Sequence, residues 1–134
     1  MSSVLILCVM GMAVVGSILY GYRSERAAKR RLPNISESQF IDAKPASLST
    51  DAWLRARACV AGGLDIEESK IDPDRRVDEL TREFGGFPIG SIDFGLVCED
   101  CCPNARCRAE FAAMLKRRAT TVGDVIEVVA RARG

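Results

Sequence analysis

The chain contains no histidine. That absence removes Ser–His and Cys–His nucleophile pairs and every histidine-ligated metal site. Aromatic residues are few, with one tryptophan, two tyrosines and five phenylalanines among 134 residues. So small a set argues against a surface that stacks the bases of a single strand, and no nucleic-acid partner is expected. No stretch sustains the apolar–polar alternation of a strand, which leaves an all-α class. The length suggests one domain with little left over for a second.

What charge there is falls unevenly. Met1 to Tyr22 carries no charged side chain, and residues 23–31 then hold five bases against one acid. Residues 60–100 reverse the sign, with eleven acids against four bases. The uncharged run VLILCVMGMAVVGSILYGY, residues 4–22, is nineteen residues long. A bilayer core needs about 20 apolar residues, so this stretch reads as a single transmembrane helix. A cleaved signal peptide is the alternative. It would carry a basic start, a shorter apolar core and a small-x-small cleavage site. The bases Arg23, Arg26, Lys29, Arg30 and Arg31 follow the span, and none precedes it. The positive-inside rule then expects a membrane protein of one pass with its C-terminal domain in the cytoplasm. The basic flank suits anionic headgroups. Ala13, Ser17 and Gly21 form a small-xxx-small face on which two such helices can pack.

The expected division is an anchor and basic flank over 1–31, a linker over 32–49 and a helical domain over 50–134. Residues 32–49 hold two prolines, several serines and mixed charge, the composition of a flexible tether. Ser36-Glu37-Ser38-Gln39 fits a capping box and predicts a short helix to Ala43, with Pro45 beyond it. A first domain helix is expected from a Ser49 or Thr50 cap, with Trp53, Leu54, Ala58 and Ala61 as its apolar stripe and Gly62-Gly63 as its end. The polar stretch that follows reads as a long ordered loop pinned by Ile66, Ile71, Val77 and Leu80. A second helix is expected to begin at Ser91 and stop at Pro103, and a third to cover 106–118 with Phe111, Met114 and Leu115 inward. The last helix is the clearest. Thr121-Val122-Gly123-Asp124 is a capping box, and Val122, Val125, Ile126 and Val129 recur at i, i+3, i+4 and i+7.

This order of parts resembles an acyl carrier protein domain over about residues 50–132. Ile71-Asp72-Pro73-Asp74 matches that family's loop pattern, and Asp78-Glu79-Leu80 echoes its DxL element. Thr121-Val122-Gly123-Asp124-Val125 matches the opening of its last helix. Its attachment motif, Asp-Ser-Leu followed by an acid, reads here Gly90-Ser91-Ile92-Asp93. The resemblance implies a small four-helix bundle behind the anchor and no catalysis by the chain itself. It further implies a 4'-phosphopantetheine arm on Ser91, flanked by Gly90, Ile92 and Asp93. Such an arm carries acyl groups in bacterial-type fatty acid or polyketide-type biosynthesis. The partners it implies are a phosphopantetheinyl transferase and acyl-transferring enzymes, met through acids such as Asp93, Glu99 and Asp100. The family has Asp where this chain has Gly90. An acyl-carrier-like adaptor without an arm is therefore the second reading, with Ser91 as a plain helix cap.

Cys98, Cys101, Cys102 and Cys107 read C-x2-C-C-x4-C. They are candidate zinc or iron–sulfur ligands, though crowded at one helix end rather than set in two separated pairs. A Cys102–Cys107 disulfide would need an oxidising compartment, which the expected topology does not provide. Some of the four otherwise serve as small apolar core residues. Cys8 falls within the span, and Cys59 is expected in the core.

Overall fold

The computed structural model describes residues 2–84 and 93–134. Among them are seven α-helices and one 3₁₀ turn, with no strand beyond an isolated Arg76–Thr121 bridge. The helices are α1 (Ser3–Arg30), α2 (Glu37–Asp42), α3 (Thr50–Leu64), α4 (Val77–Phe84), α5 (Phe94–Cys101), α6 (Ala105–Leu115) and α7 (Val122–Arg133). The all-α expectation holds, and α1 is long and apolar enough to cross a membrane. Its large apolar side chains, among them Leu7, Met10, Met12 and Val14, are exposed in the isolated chain. The helix does not stop at the end of the apolar run but continues through the basic flank to Arg30.

The core is built around α3, which packs on α5 and α7, while α6 packs on α7. Ser49 caps α3 by accepting from the Ala52 amide at 3.2 Å, and Asp51 sits in the first turn. The buried side of α3 is Ala52, Trp53, Ala56, Arg57, Val60, Ala61 and Leu64, one face at helical spacing. This corrects the expected stripe, because Ala58 is exposed and Leu54 only half-buried. Nor does Gly62-Gly63 end the helix. It runs on to Leu64 and stops at Asp65, which takes the left-handed conformation at φ 53°. Asp tolerates that region better than most residues. Gly63 is there for packing: a Cβ on it would lie 3.0 Å from Val97 Cγ2 and 3.1 Å from Val97 Cα. Glycine lets α3 and α5 approach closely.

Residues 32–49, expected as a free tether, are packed onto the bundle. The capping box of Ser36 and Gln39 forms as predicted and starts α2. Its one aromatic, Phe40, is fully buried and stacks on Trp53 with ring centroids 5.0 Å apart. The Arg57 guanidinium lies 4.6 Å over the same ring. Leu32 is buried, and Lys70 Nζ donates to its carbonyl at 3.0 Å. The end of α1 is fixed as well, since Lys29 Nζ donates to the Leu64 carbonyl at 3.0 Å. Sequence composition reads as flexible here because the few apolar residues are scattered; tertiary contact decides otherwise.

The long loop expected between the first two domain helices contains a helix of its own, α4. Its buried side chains are Val77, Leu80 and Phe84, at i, i+3 and i+7. Ile66 and Ile71 are buried too, so all four expected pins hold. The loop is sewn to the start of α7 by backbone bonds: Val77 N to Thr120 O at 2.9 Å, Val122 N to Arg75 O at 2.8 Å and Gly123 N to Pro73 O at 2.8 Å. In α7 the predicted box of Thr121 and Asp124 forms, and Val122, Val125, Ile126 and Val129 are all buried. Helix α6 is shorter than expected, from an Asn104 cap to Leu115, so Lys116, Arg117 and Arg118 lie beyond its last turn.

Candidate functional site

The expected attachment site precedes α5 in sequence. Gly90, Ser91 and Ile92 lie outside the described residues; Asp93 lies within them. Asp93, rather than Ser91, caps the helix: its Oδ1 accepts from the Gly95 amide at 2.8 Å, and the first helical residue is Phe94. The helix therefore starts three residues later than the sequence suggested. It ends at Cys101 because Cys102 precedes Pro103 and is driven into extended backbone, with ψ 116°.

Beside this entrance is an open cleft of about 570 Å³. Helix α4 contributes Val77, Asp78, Thr81 and Arg82, the start of α5 contributes Asp93 and Phe94, the end of α6 contributes Leu115, and the turn after it contributes Arg117. The walls are mainly apolar, with two guanidinium groups and two carboxylates among the lining residues. An apolar cleft with a few charged groups can hold a slender chain by burial and orient it by charge. Sequence reasoning did not anticipate α4 as a wall. The signal was the spacing of Val77, Leu80 and Phe84, obscured by the charged residues between them.

The three expected partner-facing acids do not form one patch. Asp93 is exposed but occupied as a cap, while Glu99 and Asp100 are exposed at the other end of α5. At 1.5 Å per residue that separates Asp93 from Asp100 by roughly 10 Å along the helix.

Cys8 lies in α1, and Cys101, Cys102 and Cys107 are buried, as expected of small core residues; the pairing was not expected. Cys59, expected in the core, is half-buried and disulfide-bonded to Cys101, with Cα atoms 5.9 Å apart. The bond joins α3 to α5 across 42 residues of sequence, and no local spacing announces it. Arg133 Nη1 lies 2.9 Å from Cys59 Sγ on the outer side. With Cys101 bonded, the candidate four-cysteine ligand set is broken. Among the described residues no group of three or more His, Cys, Asp or Glu side chains is placed to hold a metal ion. Cys102 and Cys107 are buried with their sulfurs 2.7 Å apart, and Cys98 Sγ is 3.9 Å from Cys102 Sγ. Burial, followed by the neighbouring Cys107 and Cys98 thiols, holds the Cys102 thiol protonated well above the ordinary thiol range.

No family model matches the chain, and no curated protein or solved structure is significantly similar to it.

Proposed function

We propose that this chain is a membrane-tethered, acyl-carrier-like protein that presents a phosphopantetheine-bound acyl group on Ser91 to partner enzymes. The observation that carries the reading is the apolar cleft of about 570 Å³ at the entrance of α5, two residues past Ser91. An arm on Ser91, two residues before Asp93 in sequence, would be within reach of that cleft. A phosphodiester brought to the start of α5 would be favoured by the unpaired amides and positive dipole end of that helix. Asp93 already uses part of that end, and Arg82 and Arg117 on the cleft supply the compensating positive charge. The capping box that opens α7 supports the same reading, since Thr121–Val125 carries the strongest sequence likeness. The carrier catalyses nothing; the thiol of the arm holds the cargo and the partner does the chemistry.

Helix α1 serves as the anchor, and its basic end favours a cytoplasmic domain, where it keeps the carrier at high local concentration near membrane enzymes. The Cys59–Cys101 bond pulls the other way, since such bonds persist in oxidising compartments. Protease protection of the C-terminal domain in sealed vesicles separates the two orientations.

The deciding experiment is intact mass of the detergent-solubilised full chain, co-expressed with a broad-specificity phosphopantetheinyl transferase. The reading expects a gain of one arm, lost in Ser91→Ala. An unmodified chain beside a loaded control carrier would overturn it. That result favours the second reading, an arm-free adaptor whose acids bind a basic partner. Gly90 in place of the family's Asp is the observation behind it. The adaptor would bind more weakly as salt rises and would be unaffected by Ser91→Ala.

A further inference from the structure

One end of the bundle concentrates sulfur. Five of the chain's six cysteines meet where α3, α5 and α6 converge, and only Cys8 lies elsewhere. One bond, Cys59–Cys101, is already made there. The remaining three thiols are not equivalent. Cys98 on α5 and Cys102 just past its end have their sulfurs at 3.9 Å, an ordinary contact between unbonded thiols. Cys102 and Cys107 face each other across the Pro103 turn at 2.7 Å. That is more than 1 Å closer than the first pair, and it approaches the ~2.05 Å of a disulfide. Two unbonded sulfurs repel at that separation. The turn itself is well fixed, with Cys102 held extended before Pro103 and Asn104 Oδ1 accepting from the Cys107 amide at 2.9 Å. Both residues are almost entirely buried, Cys102 being 6% and Cys107 2% exposed.

We infer that Cys102 and Cys107 close a second disulfide, which staples α5 to α6 and leaves Cys98 as the one thiol of the folded domain. The reaction joins the two sulfurs and releases two protons and two electrons. The electrons pass to a disulfide oxidant, either oxidised glutathione or the disulfide of a thiol oxidoreductase, which is itself split into two thiols. Exchange proceeds through a mixed disulfide, so it needs an accessible sulfur. The burial of both residues therefore places the reaction before the α5–α6 turn has packed. Once formed, the bond is shielded from reducing thiols by the same burial. The inference does not depend on the carrier or the adaptor reading, but, like the Cys59–Cys101 bond, it requires an oxidising compartment and so the orientation opposite to the one the basic flank favours.

The test counts thiols on the full chain. Cells are lysed directly into denaturant with an alkylating agent, and intact mass is read before and after reduction. Two alkyl groups are expected before reduction, on Cys8 and Cys98, and six after it. Four before reduction would mean a single bond rather than two and would overturn the inference, as would six. Connectivity is read from unreduced tryptic peptides. Cleavage at Arg57, Lys70, Arg82, Arg106 and Arg108 separates Cys59, the Cys98–Cys102 segment and Cys107 onto three peptides. All three should travel as a single species that reduction dissolves. A Cys98→Ser variant should carry one alkyl group instead of two; if it carries three, Cys98 was a bonded residue whose partner has been freed, and the assignment falls.

Discussion

Trp53 Nε1 donates to the Phe40 carbonyl across 2.8 Å, and the same two residues stack their rings at 5.0 Å. One side chain of the domain thus satisfies its only polar atom on the segment that joins the domain to the anchor. A buried indole needs a partner for that N–H, and here the partner arrives with an aromatic ring that covers the core. The segment belongs to the folded unit. Phe40→Ala should cost about 3–5 kcal/mol, the usual range for truncating a fully buried phenylalanine. Urea unfolding followed by Trp53 emission reads the loss. A chain cut to begin at residue 46 should show the same defect, whereas one that begins near residue 29 should keep native stability. Equal midpoints for the two truncations would mean that Phe40 contributes nothing.

Two neighbouring glycines should respond in opposite directions. A Cβ at Gly62 meets nothing within 4 Å, while one at Gly63 lies 3.0 Å from Val97 Cγ2 and 3.1 Å from the Val97 backbone. Both lie within α3. Gly62→Ala should stabilise by about 0.5–1 kcal/mol, the gain in helix propensity and the loss of unfolded-state freedom. Gly63→Ala gains the same propensity but forces α3 and α5 apart, and overpacking of this kind costs ~1–3 kcal/mol. Thermal melts of the two variants, measured side by side, should bracket the parent. If both rise, the close approach of α3 to α5 is soft.

How far the fold was legible follows the range over which each signal acts. The box of Thr121 and Asp124 and the face of Val122, Val125, Ile126 and Val129 are local, and both were readable from one turn of sequence. The Ser36 and Ser49 caps were readable for the same reason. Phe40 was not, because a lone aromatic among prolines and serines takes its meaning from Trp53, thirteen residues on. Helix α4 was obscured because Asp78, Glu79, Arg82 and Glu83 outnumber its three core side chains. Gly62-Gly63 read as a helix end, but the pair divides into an open position and a packing contact that only the neighbouring helix defines. The partner of Cys59 lies 42 residues away, and pairing over such a distance leaves no trace in spacing. At the candidate site, the presence of a helix after this loop was legible, but its Asp93 cap and the cleft were not, since the cleft's walls come from three separate elements.

The α3–α5 disulfide should account for a large share of the domain's stability. Closing a loop of 42 residues removes unfolded-chain entropy worth about 4 kcal/mol in the chain-entropy treatment, and measured losses on removing native bonds run ~2–5 kcal/mol. For a small helical bundle that approaches the whole margin. Cys59→Ser together with Cys101→Ala should therefore shift the urea midpoint strongly downward, with little change in the parent on adding salt. A double variant that unfolds at the parent's midpoint under non-reducing conditions would show that the bond is not made in solution.

In the fully reduced chain, stability should fall as pH rises through the thiol range. Burial and the neighbouring thiols hold Cys102 protonated in the folded state well above the ordinary range. In the unfolded state it titrates near the ordinary value of about 8.5. Between those two limits the unfolded chain has lost a proton that the folded chain keeps. The unfolded state then binds fewer protons, so the free energy of unfolding decreases with pH. The contribution is fully present below about pH 8 and is lost above it, with a limiting slope of about 1.4 kcal/mol per pH unit for one group. Unfolding in urea at several pH values between 7 and 10 measures it. Cys102→Ala should flatten the slope in the reduced protein whatever its own cost in packing, because the comparison is between slopes rather than midpoints. In the unreduced protein the slope should be missing from the parent as well, since a sulfur joined to Cys107 has no proton to lose. A steep decline that survives reduction and Cys102→Ala together would assign the pH dependence to another group.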